Sequence, residues 1–148
     1  MEADSIAQAV LFFSLLLAAS LWDVRKRMIP DILCVLILLT GLLTFTPVKL
    51  FGILLGLPLL IAALLKEGGM GGGDIKLTAA SGFVLGLPIG TAGLILGLSL
   101  VLLWHLGNQI VRKTEEKTLP MAPFLGAGFL CAYLFDAVGV FIRNIKIK

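Results

Sequence analysis

Two aspartates stand at the borders of long apolar stretches, where a carboxylate is unfavourable. Asp23 closes the first apolar stretch of the chain, and Asp74 follows three glycines just before another apolar stretch begins. A carboxylate inside the hydrocarbon layer costs about 3 kcal/mol or more, so such a residue usually has a function. Two carboxylates that come close share one proton, which makes one an acid and the other a base. We therefore expect Asp23 and Asp74 to act together on a water molecule.

The composition places the chain among integral membrane proteins. Of its 148 residues, 59% are hydrophobic and only 14% are charged, and the mean hydropathy is +1.07. A soluble domain of this length needs a polar shell, and the polar residues here are too few to form one. The outer surface is therefore expected to face lipid. The net charge of +3 is explained by basic residues beside anionic lipid headgroups, so no nucleic-acid partner is expected.

Six stretches approach the roughly 20 apolar residues that cross a bilayer as a helix. The fourth is short and rich in small residues, which favours a position among protein neighbours rather than in lipid. The sequence thus predicts an all-α, polytopic membrane protein with about six transmembrane helices and a single domain over residues 1–148. The predicted spans run approximately from Ser5 to Trp22, Pro30 to Phe45, Val48 to Leu65, Ile75 to Leu87, Gly90 to Val111 and Leu119 to Ile142.

Lys and Arg residues are unequally divided between the two predicted sides of the membrane. By the positive-inside rule, the side with more of them is cytoplasmic, which places both aspartates at the cytoplasmic edge and both termini outside. The richer side carries Arg25, Lys26, Arg27, Lys66, Lys76, Arg112, Lys113 and Lys117, and the other carries Lys49, Arg143, Lys146 and Lys148.

A glycine-rich segment leads into the fourth predicted span. Gly71, Gly72 and Gly73 precede Asp74, and glycine removes the side chains that keep a second backbone away. An extended peptide could therefore lie against this segment while Asp74 projects from the start of the helix. A flexible connector is the alternative, but such linkers usually contain Ser and Thr and need no aspartate at the membrane boundary.

The turn after the first span separates two further acidic positions. Pro30 is expected to begin the second helix, and Asp31 follows it where the helix dipole favours a carboxylate, so capping or support is expected of Asp31. Asp23 instead lies at the C-terminal end of its helix, where the dipole disfavours negative charge. A salt bridge to Arg25 or Lys26 is the alternative explanation for Asp23.

One more acidic residue, Asp136, lies deep in the sixth predicted span. An ionisable residue inside a span is a functional candidate by default. We expect a structural hydrogen bond or a water-facing position for it, because no motif includes it.

Together, the two segments around the aspartates resemble the type IV prepilin peptidases, which are GxGD-type intramembrane aspartyl proteases. Residues 23–31 match the family's pattern of Asp, a basic turn and Ile-Pro-Asn/Asp, and residues 71–76 match Gly-x-Gly-Asp-x-Lys. The resemblance implies an aspartic endopeptidase of the cell inner (cytoplasmic) membrane that cleaves the leader of pilin-like precursors at the cytoplasmic face. It implies no cofactor and no metal.

The resemblance also assigns roles to individual residues. The implied catalytic pair is Asp23 and Asp74. A supporting or substrate-binding role is implied for the remaining motif residues, which are Gly71, Gly72, Gly73, Lys76, Pro30 and Asp31.

The chain departs from many larger relatives, which carry an insertion with paired Cys-x-x-Cys motifs and also N-methylate the new pilin terminus. Its two cysteines, Cys34 and Cys131, lie far apart in predicted spans and are expected to behave as small hydrophobic residues. We therefore expect the compact form of the peptidase, with methylation unsupported. Archaeal preflagellin peptidases share the two-aspartate pattern and stay an open alternative.

Two other classes of function also stay open. In one, Asp23 and Asp74 bind a divalent cation together with Asp31, because carboxylates suit Mg²⁺ or Ca²⁺. In the other, the protein is a non-enzymatic scaffold of a pilus or secretion machine, and its glycines serve helix packing.

Overall fold

The computed structural model describes residues 3–65, 71–112 and 119–146, and these ranges are helical without a strand. The α-helices, numbered in chain order, are α1 Ala3–Lys26, α2 Asp31–Gly41, α3 Gly56–Leu65, α4 Gly72–Leu85, α5 Leu87–Arg112 and α6 Ala122–Lys146. Two 3₁₀ segments, Leu42–Thr44 and Pro47–Leu55, lie between α2 and α3. The predicted all-α class is confirmed.

Each predicted span corresponds to a helical segment, although the segments differ in length. Within the described residues, four are long and apolar enough to cross a membrane: Ser5–Lys26, Pro47–Leu65, Leu87–Ile110 and Ala122–Val140. The second predicted span is the shorter apolar segment Asp31–Thr44. The fourth is α4, whose 14 residues extend only about 21 Å, less than the roughly 30 Å of the hydrocarbon core.

The short helix α4 lies inside the bundle. Nine of its residues are buried, including Leu77, Thr78 and Phe83. A helix rich in small residues can be surrounded closely by its neighbours, which explains why this stretch needs no lipid-facing surface. Its enclosure agrees with the expectation from its small residues.

The third predicted span is a 3₁₀ segment that continues directly into α3. Such a long 3₁₀ run is uncommon, and here it packs against α4 at a close backbone contact. A Cβ atom on Gly52 would lie 1.9 Å from the Gly82 carbonyl oxygen, and one on Gly82 would lie 2.1 Å from the Gly52 oxygen. Glycine is therefore required on both sides of this crossing.

The outer surface of the bundle is apolar. Large side chains such as Leu17, Leu64, Ile110 and Phe135 are well exposed, while Phe12, Ile37 and Phe129 are fully buried in the core. An exposed apolar surface of this extent, on helices of spanning length, is that of an integral membrane protein.

Candidate active site

Asp23 lies one turn before the end of α1 and faces the protein interior. Arg27 ends the helix with a left-handed backbone (φ 53°), and its N–H donates to the Asp23 carbonyl oxygen over 2.7 Å. The Asp23 side chain is only 6% exposed. Its Oδ2 accepts a hydrogen bond from the backbone N–H of Ala122 over 3.0 Å.

This hydrogen bond places the Asp23 carboxylate at the start of α6. Ala122 is the first residue of that helix, where backbone N–H groups lack helical partners and the dipole favours negative charge. The partner of Asp23 is thus a helix terminus 99 positions away, rather than Arg25 or Lys26, the two residues of the salt-bridge explanation. Lys26 lies instead over the Trp22 ring, 4.6 Å from its centroid.

Asp74 lies in the first turn of α4, outside the four candidate spans. Its backbone N–H donates to the Gly71 carbonyl oxygen over 3.1 Å, which starts the helix. The carboxylate is buried, and within the described residues its Oδ1 has no hydrogen-bond partner. Burial, and then the negative charge of Asp23, raise the pKa of Asp74 to about 6. The two carboxylates are therefore within electrostatic reach of each other.

An ion pair and a backbone contact connect the two motif segments. The Lys76 ammonium donates to both oxygens of Asp31, over 2.8 and 2.9 Å, which joins α4 to the start of α2. A Cβ atom on Gly73 would lie 3.0 Å from the Cβ atom of Ile29, so the glycine allows the two segments to touch. Pro30 caps α2 with an extended backbone (ψ 135°).

The three glycines before Asp74 have different surroundings. A Cβ atom on Gly71 would lie 3.5 Å from Asp74 Oδ2, and one on Gly72 would meet nothing within 4 Å. The earlier part of the predicted glycine loop, residues 66–70, lies outside the described residues. Gly71 thus leaves the space beside the Asp74 carboxylate open.

Two buried hydroxyl groups continue the Asp74 face of α4. Thr78 and Ser81 follow Asp74 by four and seven positions, are fully buried, and have no hydrogen-bond partner within the described residues. Ser20 and Ser99, by contrast, donate to the carbonyl oxygen four residues earlier in their helices. The helical spacing of Asp74, Thr78 and Ser81 is the sequence signal for this polar face, although neither hydroxyl residue belongs to the motifs around the aspartates.

Comparison with known proteins identifies the family of the chain. A model described as the type IV leader peptidase family matches residues 10–108, which is more than half of the chain and includes both aspartates. The chain belongs to the type IV leader peptidase family. A prepilin leader peptidase/N-methyltransferase of Bacillus subtilis (strain 168) is 33% identical over 136 residues. The match covers 86% of this chain and 55% of that protein, so the chain spans about half the length of this relative. No solved structure matches it significantly.

In this member of the type IV leader peptidase family, an apolar groove ends about one helical turn from Asp23. It has a volume of about 340 Å³ and lies between α1 and α6. Ser20, one turn before Asp23, and Pro123, next to Ala122, lie at its Asp23 end, and Leu17 and Ala127 expose it to the lipid side. The groove thus extends from the neighbourhood of Asp23 along the lipid-facing surface.

Candidate metal ligands are sparse in the same region. Within the described ranges, His, Cys, Asp and Glu form no group of three or more that could hold a metal ion. Asp31 is paired with Lys76 and does not join the two buried carboxylates.

Proposed function

We propose that this chain is a membrane-embedded aspartyl endopeptidase that removes the leader peptide from type IV prepilin-like precursors. The observation that carries the proposal is the electrostatic coupling of two buried carboxylates, Asp23 and Asp74, at one end of the bundle. The substrate class is supported by membership of the type IV leader peptidase family and by the similarity to a prepilin leader peptidase/N-methyltransferase of Bacillus subtilis. The proposal concerns hydrolysis of the leader alone.

The surroundings of the two carboxylates give them different roles in the resting enzyme. Asp23 Oδ2 accepts the Ala122 N–H at the start of α6, where the positive end of the helix dipole lies, so we assign Asp23 as the base. Asp74 is buried, its Oδ1 has no donor within the described residues, and the Asp23 charge lies near it, which together favour its protonated form. Asp74 is therefore the acid.

The reaction then follows without a covalent enzyme intermediate. Asp23 takes a proton from water while the water oxygen attacks the scissile carbonyl carbon, and Asp74 donates its proton to the carbonyl oxygen. The resulting diol returns one hydroxyl proton to Asp74. Asp23 passes its proton to the departing nitrogen as the C–N bond breaks. The leader leaves as a carboxylic acid and the mature protein as an amine.

The groove between α1 and α6 is proposed to hold the hydrophobic stem of the precursor. Such a stem follows the cleavage site, so the groove must start at the catalytic residues and extend into the hydrocarbon layer. Two features of the groove support this placement: Ser20 and Pro123 bring one end within about a turn of Asp23, and Ala127 opens it to lipid. The scissile bond would then lie near Asp23 and the open side of Gly71.

We further propose that the site faces the cytoplasm in the inner membrane and that residues 1–148 act as one peptidase domain. The excess of Lys and Arg around Asp23 and Asp74 supports this orientation. Lys66, Lys113 and Lys117, which contribute to that excess, lie outside the described residues.

The proposal is tested by co-expressing the full chain with a pilin precursor and following leader loss by a mass shift. The wild-type chain should cleave the precursor, whereas Asp23→Asn and Asp74→Asn should not, at equal membrane levels of all three proteins. Cleavage that is lost with a chelator and restored by Mg²⁺ would favour the cation-dependent alternative. Unchanged cleavage by both variants would contradict the catalytic assignment. The same assay with a preflagellin precursor tests the alternative that the chain is a preflagellin peptidase.

A further inference from the structure

A cavity separate from the groove between α1 and α6 lies at the end of the bundle opposite the aspartates, and charged side chains contribute to its lining. It has a volume of about 360 Å³, and its lining includes residues of α1, α6 and the segment between α2 and α3. Gln8 lines it, and Gln8 precedes Asp23 by 15 positions on α1, which corresponds to about 22 Å along the helix. The cavity is therefore near the opposite boundary of the hydrocarbon layer.

A chain of hydrogen bonds holds the Lys49 ammonium at this cavity. Lys49 donates to the Thr44 hydroxyl over 2.7 Å, and the Thr44 hydroxyl donates to the Gln8 side-chain oxygen. Gln8, only 6% exposed, donates in turn to the Thr40 carbonyl oxygen over 2.9 Å. An ammonium group has three donors, so two N–H groups of Lys49 have no acceptor among the described residues.

A carboxylate, Asp136, lines the same cavity. Asp136 makes no ion pair or hydrogen bond with any residue that the structure describes, so the structural hydrogen bond that was one of its two expected roles is not formed there. It is exposed, and the Tyr133 side chain lines the cavity one turn earlier on α6. The cavity thus contains one cation, Lys49, and one anion, Asp136, that do not form an ion pair with each other.

Most of the remaining lining of the cavity is apolar. Phe12, Phe13, Ile89 and Val140 line it together with the polar groups. A ligand that matches these walls has a hydrocarbon portion as well as a charged end. Basic pockets between transmembrane helices are a known type of lipid headgroup site.

We propose that this cavity binds an aminophospholipid, with its phosphate at Lys49 and its primary ammonium at Asp136. Phosphatidylethanolamine has this zwitterionic headgroup, and its acyl chains can cover the aromatic and aliphatic walls. Phosphatidylglycerol has no cation for Asp136, and the quaternary ammonium of phosphatidylcholine has no N–H to donate to it, so both lipids bind less tightly. The inference is independent of the peptidase proposal, because neither charged residue belongs to the site around Asp23 and Asp74.

The test is native mass spectrometry of the purified full chain, titrated in detergent with phosphatidylethanolamine, phosphatidylglycerol or phosphatidylcholine. The wild-type chain should bind phosphatidylethanolamine roughly tenfold more tightly than the other two, the amount expected for one extra charge-assisted hydrogen bond. Asp136→Asn should reduce this preference to within about twofold. Lys49→Met should weaken binding of all three lipids, and Lys49→Arg should retain it.

Two further variants separate ligand binding from folding. Ala137→Phe narrows the cavity without changing a charge and should lower lipid retention, as Ala137 lines it. Arg143→Gln removes an exposed charge of α6 outside the cavity lining and should bind lipid like the wild type. Equal affinity of the wild type for all three lipids, or an unchanged preference in Asp136→Asn, would overturn the proposal. Displacement of the lipid by an equal concentration of free phosphoethanolamine would also overturn it, because the acyl chains would then contribute nothing.

Discussion

Asp23 and Asp74 are chemically identical side chains that the fold places in different electrostatic surroundings. Asp23 has a donor at the start of α6, while one Asp74 oxygen is buried and has no donor within the described residues. The sequence made both residues candidates because a carboxylate beside an apolar stretch is unfavourable unless it has a function. It did not indicate the Ala122 contact, since a backbone N–H that is 99 positions away has no sequence signature.

The raised pKa of Asp74 predicts how cleavage depends on pH. Burial and the Asp23 charge raise that pKa to about 6, and the proposed acid must hold its proton. The kcat/KM for precursor cleavage should therefore fall as pH rises through about 6, because kcat/KM reports ionisations of the free enzyme. A purified enzyme assayed between pH 5 and 8 checks this, with circular dichroism to show that the fold is unchanged. A kcat/KM that is constant or rises over this range would contradict the assignment.

Two neighbouring glycines should respond differently to the same substitution. A Cβ atom on Gly73 meets Ile29 at 3.0 Å, whereas one on Gly72 meets nothing. We expect Gly73→Ala to destabilise the protein by about 1 kcal/mol through overpacking. Gly72→Ala should be neutral or stabilise it slightly, by up to about 1 kcal/mol, because alanine favours a helix. Thermal unfolding in detergent measures both variants, and equal Tm values would show that residues 29 and 73 do not touch.

At the scale of secondary structure, the apolar stretches and the turn at Pro30 were sufficient to predict the helices. They could not predict the 3₁₀ segment Pro47–Leu55, because its aliphatic sequence suits an α-helix equally well. The close backbone crossing of Gly52 and Gly82 depends on how two segments pack, which local sequence does not specify. The groove could not be predicted from local sequence either, because it forms only where α1 and α6 pack side by side.

A bulky residue in the groove between α1 and α6 should weaken binding of the precursor rather than slow the chemical step. Ala127 is exposed and lines the groove, so Ala127→Phe should raise KM about tenfold with a smaller effect on kcat, as expected for lost ground-state binding. The control is Val138→Phe on the same helix, a 55% exposed position outside the groove. Steady-state kinetics with a purified precursor provide the measurement. An unchanged KM in Ala127→Phe, or an equal rise in the control, would place the stem elsewhere.

At the scale of the whole molecule, polar groups are concentrated at two ends of an otherwise apolar bundle. One end brings together the termini of α1, α4 and α6 around Asp23 and Asp74, and the other holds the Lys49 cavity. Composition alone predicted the membrane class, and the two short motifs predicted the family. The proximity of Asp23 and Asp74 depends on how the helices pack, because α2, both 3₁₀ segments and α3 lie between these residues along the chain.

The proposed mechanism requires Asp23 and Asp74 to act as one unit, and a double-mutant comparison of kcat/KM tests this directly. Residues that act together are strongly non-additive, so Asp23→Asn, Asp74→Asn and the double variant should lose activity by the same factor, about 1,000-fold or more. The measurement uses purified full-length chains and one precursor, with lipid-embedded folding verified for each. If the activity loss of the double variant equalled the product of the two single losses, the shared site would be contradicted. A single variant that kept more than about a tenth of the wild-type activity would contradict it as well.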